Sequence, residues 1–199
     1  MLAGVADPGN VGALVRSALA FGRFQVVLLD GCDVFNAKVV RSTAGALTDV
    51  RIAVGSVDDF AGFLQISRKR PYAEALRGEE RPWCVGLDPS AEKTIEDVIR
   101  AAAAAQSSSP NHLNNNNNKA CEASIARASW LVVGSEAHGI PPAVRDACDA
   151  LARIRMPMID TPARAGEGVL PTDGDEGALD SLNAAVAGSI ACYVMRGLE

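Results

Sequence analysis

The sequence predicts an α/β domain in which helices cover a parallel β-sheet. Short apolar runs alternate along the chain with segments whose apolar residues recur at the spacing of a helix. Some of these runs, such as Leu131–Val133, are apolar without interruption, which is typical of strands that are covered on both faces. Three of the predicted strands end in a polar loop that leads into a helix. This order of elements favours a parallel sheet.

The first thirty residues predict one strand–helix–strand unit. Leu2–Ala6 is a short apolar run, and the Asp-Pro-Gly-Asn sequence after it has the composition of a turn. We expect Asn10 to cap the next helix and Gly22 to end it, because these residue types are favoured at those positions. Gln25–Leu29 predicts a second strand. The inner face of the helix is expected to consist of Val11, Leu14, Val15, Ala18 and Leu19.

The middle of the chain continues the alternation. The pattern predicts a helix over Lys38–Leu47, a strand over Arg51–Val54, a helix over Val57–Leu64 capped by Ser56, a strand over Trp83–Leu87 and a helix over Ala91–Ala105. Residues 106–119 contain a serine run and then five consecutive asparagines, which cannot bury enough apolar surface to become ordered. We therefore expect a flexible low-complexity insertion there, within a single domain of residues 1–199.

A central strand is predicted over Trp130–Gly134. The short loop after it holds one carboxylate, Glu136, and one imidazole, His138, and is bounded by Gly134 and Gly139. Glycines allow the backbone to approach a small molecule closely. Two prolines then open a helix, where a proline is tolerated.

The end of the chain predicts one more strand and one more helix. The strand covers residues 150–156 and ends before a long acidic loop, residues 159–180, that is rich in glycine and proline. The helix covers Leu182–Met195, and either Ser181 or Asn183 is suited to cap its start.

Composition indicates an ordinary soluble globular protein. The 199 residues are 48% hydrophobic and 22% charged, and no apolar run approaches the length of a membrane span. No basic segment followed by an apolar core stands at the N-terminus, so no signal peptide is predicted. The five dispersed cysteines fit a reducing compartment, cytoplasmic or organellar, and with only two histidines a metal site is not expected.

The charge is unevenly distributed along the chain. The net charge is −5, which argues against non-specific coating of nucleic acid. Residues 1–81 carry 10 Lys and Arg against 9 Asp and Glu, whereas the remaining residues carry 9 against 15. A polyanion would therefore prefer the first part of the chain, although ordinary scatter accounts for the difference equally well.

Three loops at strand ends carry the candidate functional residues. In a parallel sheet they lie at the same carboxyl edge and can converge on one pocket. Neither of the two standard phosphate-binding glycine motifs occurs, which disfavours a dinucleotide or nucleoside-triphosphate enzyme. The convergent side chains form a polar set with one fixed cation, which suits a reaction near a phosphodiester. They are Asn10, Arg16, Glu136, Ser181 and Asn183.

Four ordered motifs in these segments resemble those of the SpoU (TrmH-like) RNA ribose methyltransferases of the SPOUT superfamily. They are DPGNVGALVRSALAFG, KVVRSTAGAL, LVVGSEAHGI and RMPM with SLNAAVAGSI, and together they span nearly the whole chain. The resemblance implies a parallel-sheet SPOUT fold with a C-terminal trefoil knot. It also implies S-adenosyl-L-methionine as methyl donor, transfer to a ribose 2′-hydroxyl of RNA, with rRNA slightly favoured over tRNA, and a homodimer.

The resemblance also implies roles for single residues. Asn10 and Arg16 match positions in DPGNVGALVRSALAFG, Glu136 matches one in LVVGSEAHGI, and Ser181 and Asn183 match positions in SLNAAVAGSI. We expect Arg16 to clamp an RNA phosphate, because a guanidinium is too basic to remove a proton. Residues matching the donor pocket are Gly134, Glu136, Gly139, Met156 and Leu182, and further RNA contacts are expected from Lys38 and Arg41.

Plainer interpretations of these residues stand beside the functional ones. Asn10 and Ser181 are also suited to capping alone, and Glu136 to a solvated loop. The long 159–180 loop departs from the family pattern, so a non-catalytic RNA-binding or dimerising module on the same fold is the alternative hypothesis. A third hypothesis, an unrelated α/β enzyme for a small anionic substrate, requires the four motifs to be accidental.

Overall fold

The computed structural model describes residues 1–67, 83–107, 130–156 and 181–196. Within these ranges six strands form one sheet in the order β3-β2-β1-β5-β4-β6, and every pairing is parallel. The predicted parallel-sheet α/β fold class is therefore correct. The strands are β1 (Leu2–Ala3), β2 (Gln25–Leu29), β3 (Arg51–Gly55), β4 (Cys84–Leu87), β5 (Trp130–Gly134) and β6 (Ala150–Ala152).

Helices connect and cover the strands. They are α1 (Pro8–Ala20), α2 (Ala37–Ser42), α3 (Val57–Ser67), α4 (Ile95–Ser107), α5 (Pro142–Arg145) and α6 (Ala184–Arg196), with a short 3₁₀ turn at Ala46–Thr48. Of the predicted inner face of α1, Val11, Leu14, Val15 and Ala18 are buried, and Leu19 is half-buried against the same core. Among the described residues no helix is long and apolar enough to span a membrane.

The middle of the sheet positions the site, because β1 lies between β2 and β5. Leu2 pairs with Val133 on one side and with Leu28 on the other. β1 is shorter than predicted, since Gly4 adopts a left-handed φ of 71° and ends the strand. The carboxyl ends of β1 and β5 therefore lie side by side, and the loops that follow them start from adjacent points.

The N-cap of helix α1 lies three residues earlier than predicted. Asp7, not Asn10, is the N-cap: its carboxylate accepts a hydrogen bond from the backbone N–H of Asn10 at 2.8 Å. Pro8 then occupies the first helical turn, where its missing N–H costs nothing. The prediction that Asn10 caps the helix is wrong, and the consequence is that its side chain is available for other contacts.

Helix α2 is shorter than the predicted Lys38–Leu47. It ends at Ser42 because Ala44 and Gly45 both have positive φ, 48° and 90°, which no helix can continue through. The hydroxyl of Ser42 donates to the carbonyl of Pro8 at 3.2 Å. A Cβ on Gly12 would overlap Ser42, so α2 lies directly against the start of α1.

The later elements keep their order but not all of their boundaries. α4 starts at Ile95 rather than at the predicted Ala91. The hydroxyl of Thr94 accepts from the backbone N–H of Asp97 and donates to the Asp97 carboxylate, and these two hydrogen bonds cap the helix. β6 ends at Ala152, well before the predicted Met156. α6 is capped by Asn183, whose side-chain oxygen accepts from the N–H groups of Ala185 and Val186 at 2.9 and 3.2 Å. Of the two candidate caps, Ser181 is the incorrect one.

Helices α1 and α6 pack on each other above β5. Gly188 of α6 lies so close to Leu14 and Val133 that a Cβ there would overlap Leu14. The hydroxyls of Ser17 and Ser189 are hydrogen-bonded at 2.6 Å across the two helices. This close contact fixes the starts of both helices relative to the end of β5.

Three predictions fall largely outside the described residues. Most of the low-complexity insertion at 106–119 and all of the 159–180 loop lie outside the described residues. At the predicted start of the insertion, α4 continues through Ser107. The trefoil knot depends on the path of the chain through residues 157–180. The knot and the single domain of residues 1–199 therefore stay predictions.

Candidate active site

The loop after β5 is closed on itself and presents Glu136 to solvent. Ser135 and Gly139 exchange two backbone hydrogen bonds, at 3.0 and 2.9 Å. Gly139 has a φ of 66°, which favours glycine, and a Cβ on Gly134 would overlap the backbone of Gly139 and Ile140. Both glycines that bound the loop are therefore required by its geometry.

Three of the predicted site residues meet at one carboxylate oxygen, Oε1 of Glu136. The side-chain amide of Asn10 donates to it at 2.8 Å, and the side-chain amide of Asn183 donates to it through a short hydrogen bond. The backbone N–H of Ala184 donates to the same oxygen at 3.2 Å. The Asn183 amide also donates to the side-chain oxygen of Asn10 at 3.2 Å. We call Asn10, Glu136 and Asn183 the amide–carboxylate cluster.

The cluster lies where two helices begin. Asn10 is in the first turn of α1, and Asn183 and Ala184 are the cap and first residue of α6. The first turn of a helix has unpaired N–H groups and a partial positive charge, so both helix starts favour the negative charge of Glu136. Glu136 is therefore a hydrogen-bonded carboxylate and not an unpaired loop acid.

Arg16 and Ser181, the other two predicted catalytic residues, do not join the cluster. Arg16 is six residues beyond Asn10 on α1, about 9 Å further along the axis and about 120° around it. Its side chain is exposed and makes no hydrogen bond or ion pair with any described residue. Ser181 is exposed too, and Asn183 takes the capping position that either could have filled.

The residues predicted to hold a methyl donor lie at or beyond the carboxyl ends of adjacent strands. β5, β4 and β6 are neighbours in the sheet, and Gly134 ends β5 while Met156 follows β6. Leu182, half-buried, stands just before the cap of α6. The Met156 side chain is 39% exposed. Exposed loop backbone beside apolar side chains is suited to a small amphipathic ligand.

Helix α2 carries the two cations that were predicted to contact RNA. Lys38 forms an exposed ion pair with Asp7, with the ammonium nitrogen 3.6 Å from a carboxylate oxygen. Arg41 is exposed and pairs with no described residue. The backbone N–H of Asn10, and then Lys38, lower the pKa of Asp7 below its usual range.

Sequence reasoning missed the part that Asp7 plays. This residue starts α1 and holds Lys38, and it therefore connects two helices at the edge of the cluster. An aspartate directly before a proline is a signal for a helix start, since proline is favoured at the first helical position. The sequence did not decide between Asp7 and Asn10, because aspartate and asparagine are equally favoured at the N-cap.

Two other features are separate from the cluster. The backbone N–H of His138 donates to the hydroxyl of Ser135 at 3.2 Å, and the described ranges hold no group of His, Cys, Asp and Glu that could bind a metal ion. A surface cavity of about 300 Å³ lies between α4 and β6. None of the predicted site residues lines it; its walls are Trp83, Lys93, Val98, Ala101, Ala102, Asp149 and Ala150.

Comparison with known sequences identifies relatives. The chain matches the model of the SpoU rRNA Methylase family over residues 1–160. It is 29% identical over 194 residues to the 23S rRNA (guanosine-2'-O-)-methyltransferase RlmB of Xanthomonas axonopodis pv. citri (strain 306), which covers 97% of this chain and 55% of that relative. It is 35% identical over 74 residues to the 23S rRNA (guanosine(2553)-2'-O)-methyltransferase RlmP of Bacillus subtilis (strain 168), covering 37% of this chain and 30% of RlmP.

Solved structures share the same arrangement of elements. The SpoU methyltransferase AviRb from Streptomyces viridochromogenes, in complex with AdoMet, is 23% identical with a TM-score of 0.62, covering 98% of this chain and 58% of AviRb. A probable methyltransferase from Bordetella pertussis Tohama I is 19% identical with a TM-score of 0.57, covering 99% of this chain and 92% of that one. At these identities the likeness establishes the fold alone.

The matched relatives and the family model agree with each other. The chain spans about half the length of the RlmB relatives that it matches over most of its own length. The family model covers 160 residues, well over half of the 199. The chain therefore belongs to the SpoU rRNA methylase family.

Proposed function

We propose that the protein transfers a methyl group from S-adenosylmethionine to a ribose 2′-hydroxyl of structured RNA. The observation that carries the proposal is the amide–carboxylate cluster, formed at the carboxyl edge of a parallel sheet in a SpoU family chain. Ribosomal RNA is the favoured substrate, because the relatives matched over most of the chain are named for methylation of 23S rRNA.

The donor would be held at the ends of β5 and β6 and at the start of α6. The loop backbone between the buried Gly134 and the exposed Gly139, the exposed Met156 and the half-buried Leu182 fit the polar and apolar parts of such a molecule. When bound, S-adenosylmethionine supplies an electrophilic methyl group on a sulfonium sulfur. AviRb, a structural neighbour, is described in complex with AdoMet, which supports this choice of donor.

Glu136 acts in this proposal as the residue that positions its neighbours. One of its oxygens already accepts from Asn10, Asn183 and Ala184. It therefore fixes the first turns of α1 and α6, and with them the two amides that face the loop. Both N–H groups of the Asn183 amide are used inside the cluster, so the second N–H of Asn10, which has no partner among the described residues, is the donor that can orient a substrate hydroxyl without rearrangement during the reaction.

Arg16 acts as a clamp on an RNA phosphate. A guanidinium can hold a phosphate with two parallel hydrogen bonds, but it has no lone pair with which to accept the hydroxyl proton. Its exposure, with no partner among the described residues, leaves all of its donors available to a ligand. Lys38 and Arg41 on the neighbouring helix extend the same cationic side of the molecule.

A homodimer is the proposed assembly. The outer side of α6 carries exposed apolar groups, with Val186 47% and Tyr193 62% exposed. The ring of Tyr193 contacts Phe21 edge-on across the two helices, 5.7 Å between centroids, so the exposed surface is continuous from one helix to the other. We expect twice the chain mass by light scattering at micromolar concentration. A monomer under these conditions would argue against the assembly.

The decisive experiment separates the enzyme from a non-catalytic module. Calorimetry with S-adenosylmethionine tests donor binding, and mass spectrometry of rRNA and tRNA from cells with and without the gene tests transfer. We expect one ribose methylation in rRNA to disappear without the gene. If a ribose methylation disappears from tRNA instead, the proposed substrate becomes tRNA. If neither RNA changes and the donor does not bind, the non-catalytic alternative replaces this proposal.

A further inference from the structure

Phe35 is the most exposed large apolar side chain among the described residues. It is 74% exposed, although it lies in the loop between β2 and α2 at the carboxyl edge of the sheet. The loop around it is held by hydrogen bonds. The backbone N–H of Phe35 donates to the carboxylate of Asp33 at 2.9 Å, and that of Asn36 donates to the carbonyl of Asp33 at 3.1 Å. The ring is therefore presented to solvent by a fixed backbone.

Helix capping does not account for this exposed ring. Asn36 is the N-cap of α2, and its side chain accepts from the N–H of Lys38 at 2.9 Å. A hydrophobic residue before the cap often packs against the fourth helical residue, which here is Val40. That contact would bury both side chains, yet Val40 is 43% exposed and Phe35 is more exposed still. The apolar surface stays available to a ligand.

The helix that follows Phe35 carries two cations, Lys38 and Arg41. Lys38 and Arg41 lie three residues apart on α2, and therefore on one side of the helix. Asp33, Asp7 and Asp30 carry negative charge in this part of the chain; their carboxylates accept from the backbone N–H groups of Phe35, Asn10 and Val57, and Asp7 also pairs with Lys38. Arg41 is exposed and has no acidic partner among the described residues. An exposed ring together with an exposed arginine on the helix that follows it is a combination with which proteins bind single-stranded nucleic acid.

The position of α2 relates this surface to the amide–carboxylate cluster. The Ser42 hydroxyl donates to the carbonyl of Pro8, and Gly12 has no room for a side chain beneath Ser42. α2 is thus fixed against the first turn of α1, which also carries Asn10. A strand of RNA that reaches the cluster can extend over α2 without a rearrangement of the protein.

We propose that Phe35 is a stacking platform for one unpaired base of the RNA, with Arg41 on an adjacent phosphate. The inference rests on the proposed function, because it takes RNA as the substrate. It adds a contact that selects RNA in which a base near the methylated ribose is not paired. Stacking on an aromatic ring is tolerant of base identity, so the contact selects conformation rather than sequence.

Binding of labelled RNA tests the stacking contact. The probe is a fluorescein-labelled single-stranded RNA of twelve nucleotides with mixed sequence, compared with the same strand in a duplex. Removing the ring in Phe35→Ala should weaken single-strand binding by roughly 5- to 150-fold, the range for one stacked base. Phe35→Leu should resemble Phe35→Ala, whereas Phe35→Trp should bind as the wild type does, with its added fluorescence quenched by RNA.

Phe24 provides a matched control. It is 59% exposed and stands immediately before β2, so it lies at the opposite end of the strand that leads to Phe35. Phe24→Ala should leave binding unchanged. Three results would each overturn the proposal: full affinity in Phe35→Ala, full affinity in Phe35→Leu, or an equal loss for single-stranded and duplex RNA. A drop from dimer to monomer in Phe35→Ala would also overturn it, since the ring would then serve a second copy of the chain.

This test is independent of the methylation test. RNA binding is measured without the donor, and transfer is measured separately on cellular RNA. A wild-type protein that binds the single strand through Phe35 but transfers no methyl group would contradict the proposed function and leave the stacking contact standing. A wild-type protein that binds neither RNA would overturn both.

Discussion

Asn10 and Arg16 lie on the same helix, but their surroundings differ completely. Asn10 is hydrogen-bonded to Glu136 and Asn183, which join three separate parts of the chain at one point. Arg16 is exposed on another side of α1 and contacts none of the other predicted site residues. A change in the cluster should therefore affect both stability and activity, whereas a change at Arg16 should affect activity alone.

The largest expected effect belongs to Arg16. Arg16→Ala should lower methyl transfer by roughly 100- to 1,000-fold, the usual effect of removing one donor that stabilises developing charge. Its free energy of unfolding should stay within about 0.5 kcal/mol of the wild type, because Arg16 is exposed and no hydrogen bond or ion pair to a described residue is lost. Donor binding by calorimetry should be unchanged. Single-turnover kinetics and urea unfolding measure the two quantities.

Arg51→Ala is the matched control for Arg16→Ala. Arg51 is an exposed arginine that opens β3, at the opposite edge of the sheet from the cluster. Its replacement removes the same charge and should leave transfer intact. A loss of donor affinity as large as the loss of rate in Arg16→Ala would contradict the clamp and place Arg16 at the donor instead.

Gly134 should show the largest effect on stability. A Cβ at this position would overlap the backbone of Gly139 and Ile140, so Gly134→Ala must open the closed loop that carries Glu136. Overpacking of this kind costs about 1 to 3 kcal/mol. Urea unfolding should report that loss, and donor binding should weaken with it.

If Gly134→Ala lowers stability because its Cβ has no space, Gly62→Ala should have the opposite effect on stability. Gly62 lies within α3, and a Cβ there would meet no atom within 4 Å. Alanine in a helix is more stable than glycine by roughly 0.5 to 1 kcal/mol, so this variant should gain stability. Equal destabilisation by both substitutions would mean that the closed loop is not what Gly134 protects.

A double-mutant cycle measures how strongly the cluster is coupled. Asn10→Ala and Glu136→Ala should each destabilise the protein, and the double variant should lose less than the sum of the two. We expect a coupling free energy of about 0.5 kcal/mol, at the low end for a hydrogen bond because both side chains are exposed to water. Arg16→Ala paired with Glu136→Ala should give no coupling. If the Arg16–Glu136 pair shows a coupling free energy as large as that of the Asn10–Glu136 pair, Arg16 is not energetically separate from the cluster.

Much of the site could be predicted from sequence because a parallel sheet collects its loops at one edge. That rule placed Asn10, Glu136 and Asn183 at one edge, together with Arg16 and Ser181, which do not join the cluster. The hydrogen bonds within the cluster could not be predicted, since those depend on the closed loop between Ser135 and Gly139 and on the contact between α1 and α6. These are long-range packing effects, and local residue preferences do not contain them.

The errors in the fold also have local physical causes. Asp7 and Asn10 are equally suited to capping, and only the presence of Pro8 at the first helical position decides between them. The end of α2 at Ser42 depends on Ala44, which adopts a left-handed backbone conformation that alanine rarely populates. β6 stops early at Ala152, after which Arg153 pairs only with Thr94 in the loop before α4.

The smallest expected effect concerns the charge of Asp7, which joins the two regions. Asp7→Asn keeps an oxygen that can accept from the N–H of Asn10 but removes the charge that faces Lys38 and the start of α1. The pKa of Asp7 is lowered from 3.8, chiefly by that N–H, which means that the folded protein favours the ionised carboxylate. The charge of Asp7 therefore stabilises the fold at pH values above 3.8, and this stabilisation is lost as the carboxylate is protonated. The stability difference between the wild type and Asp7→Asn should therefore be constant above about pH 5 and should disappear as the pH falls through the lowered pKa.

Lys38→Met removes the ion pair alone and should give a smaller difference with the same pH dependence, reduced further by salt because the pair is exposed. If Lys38→Met instead reproduces the whole difference, the ion pair and not the helix start is what stabilises the charge of Asp7.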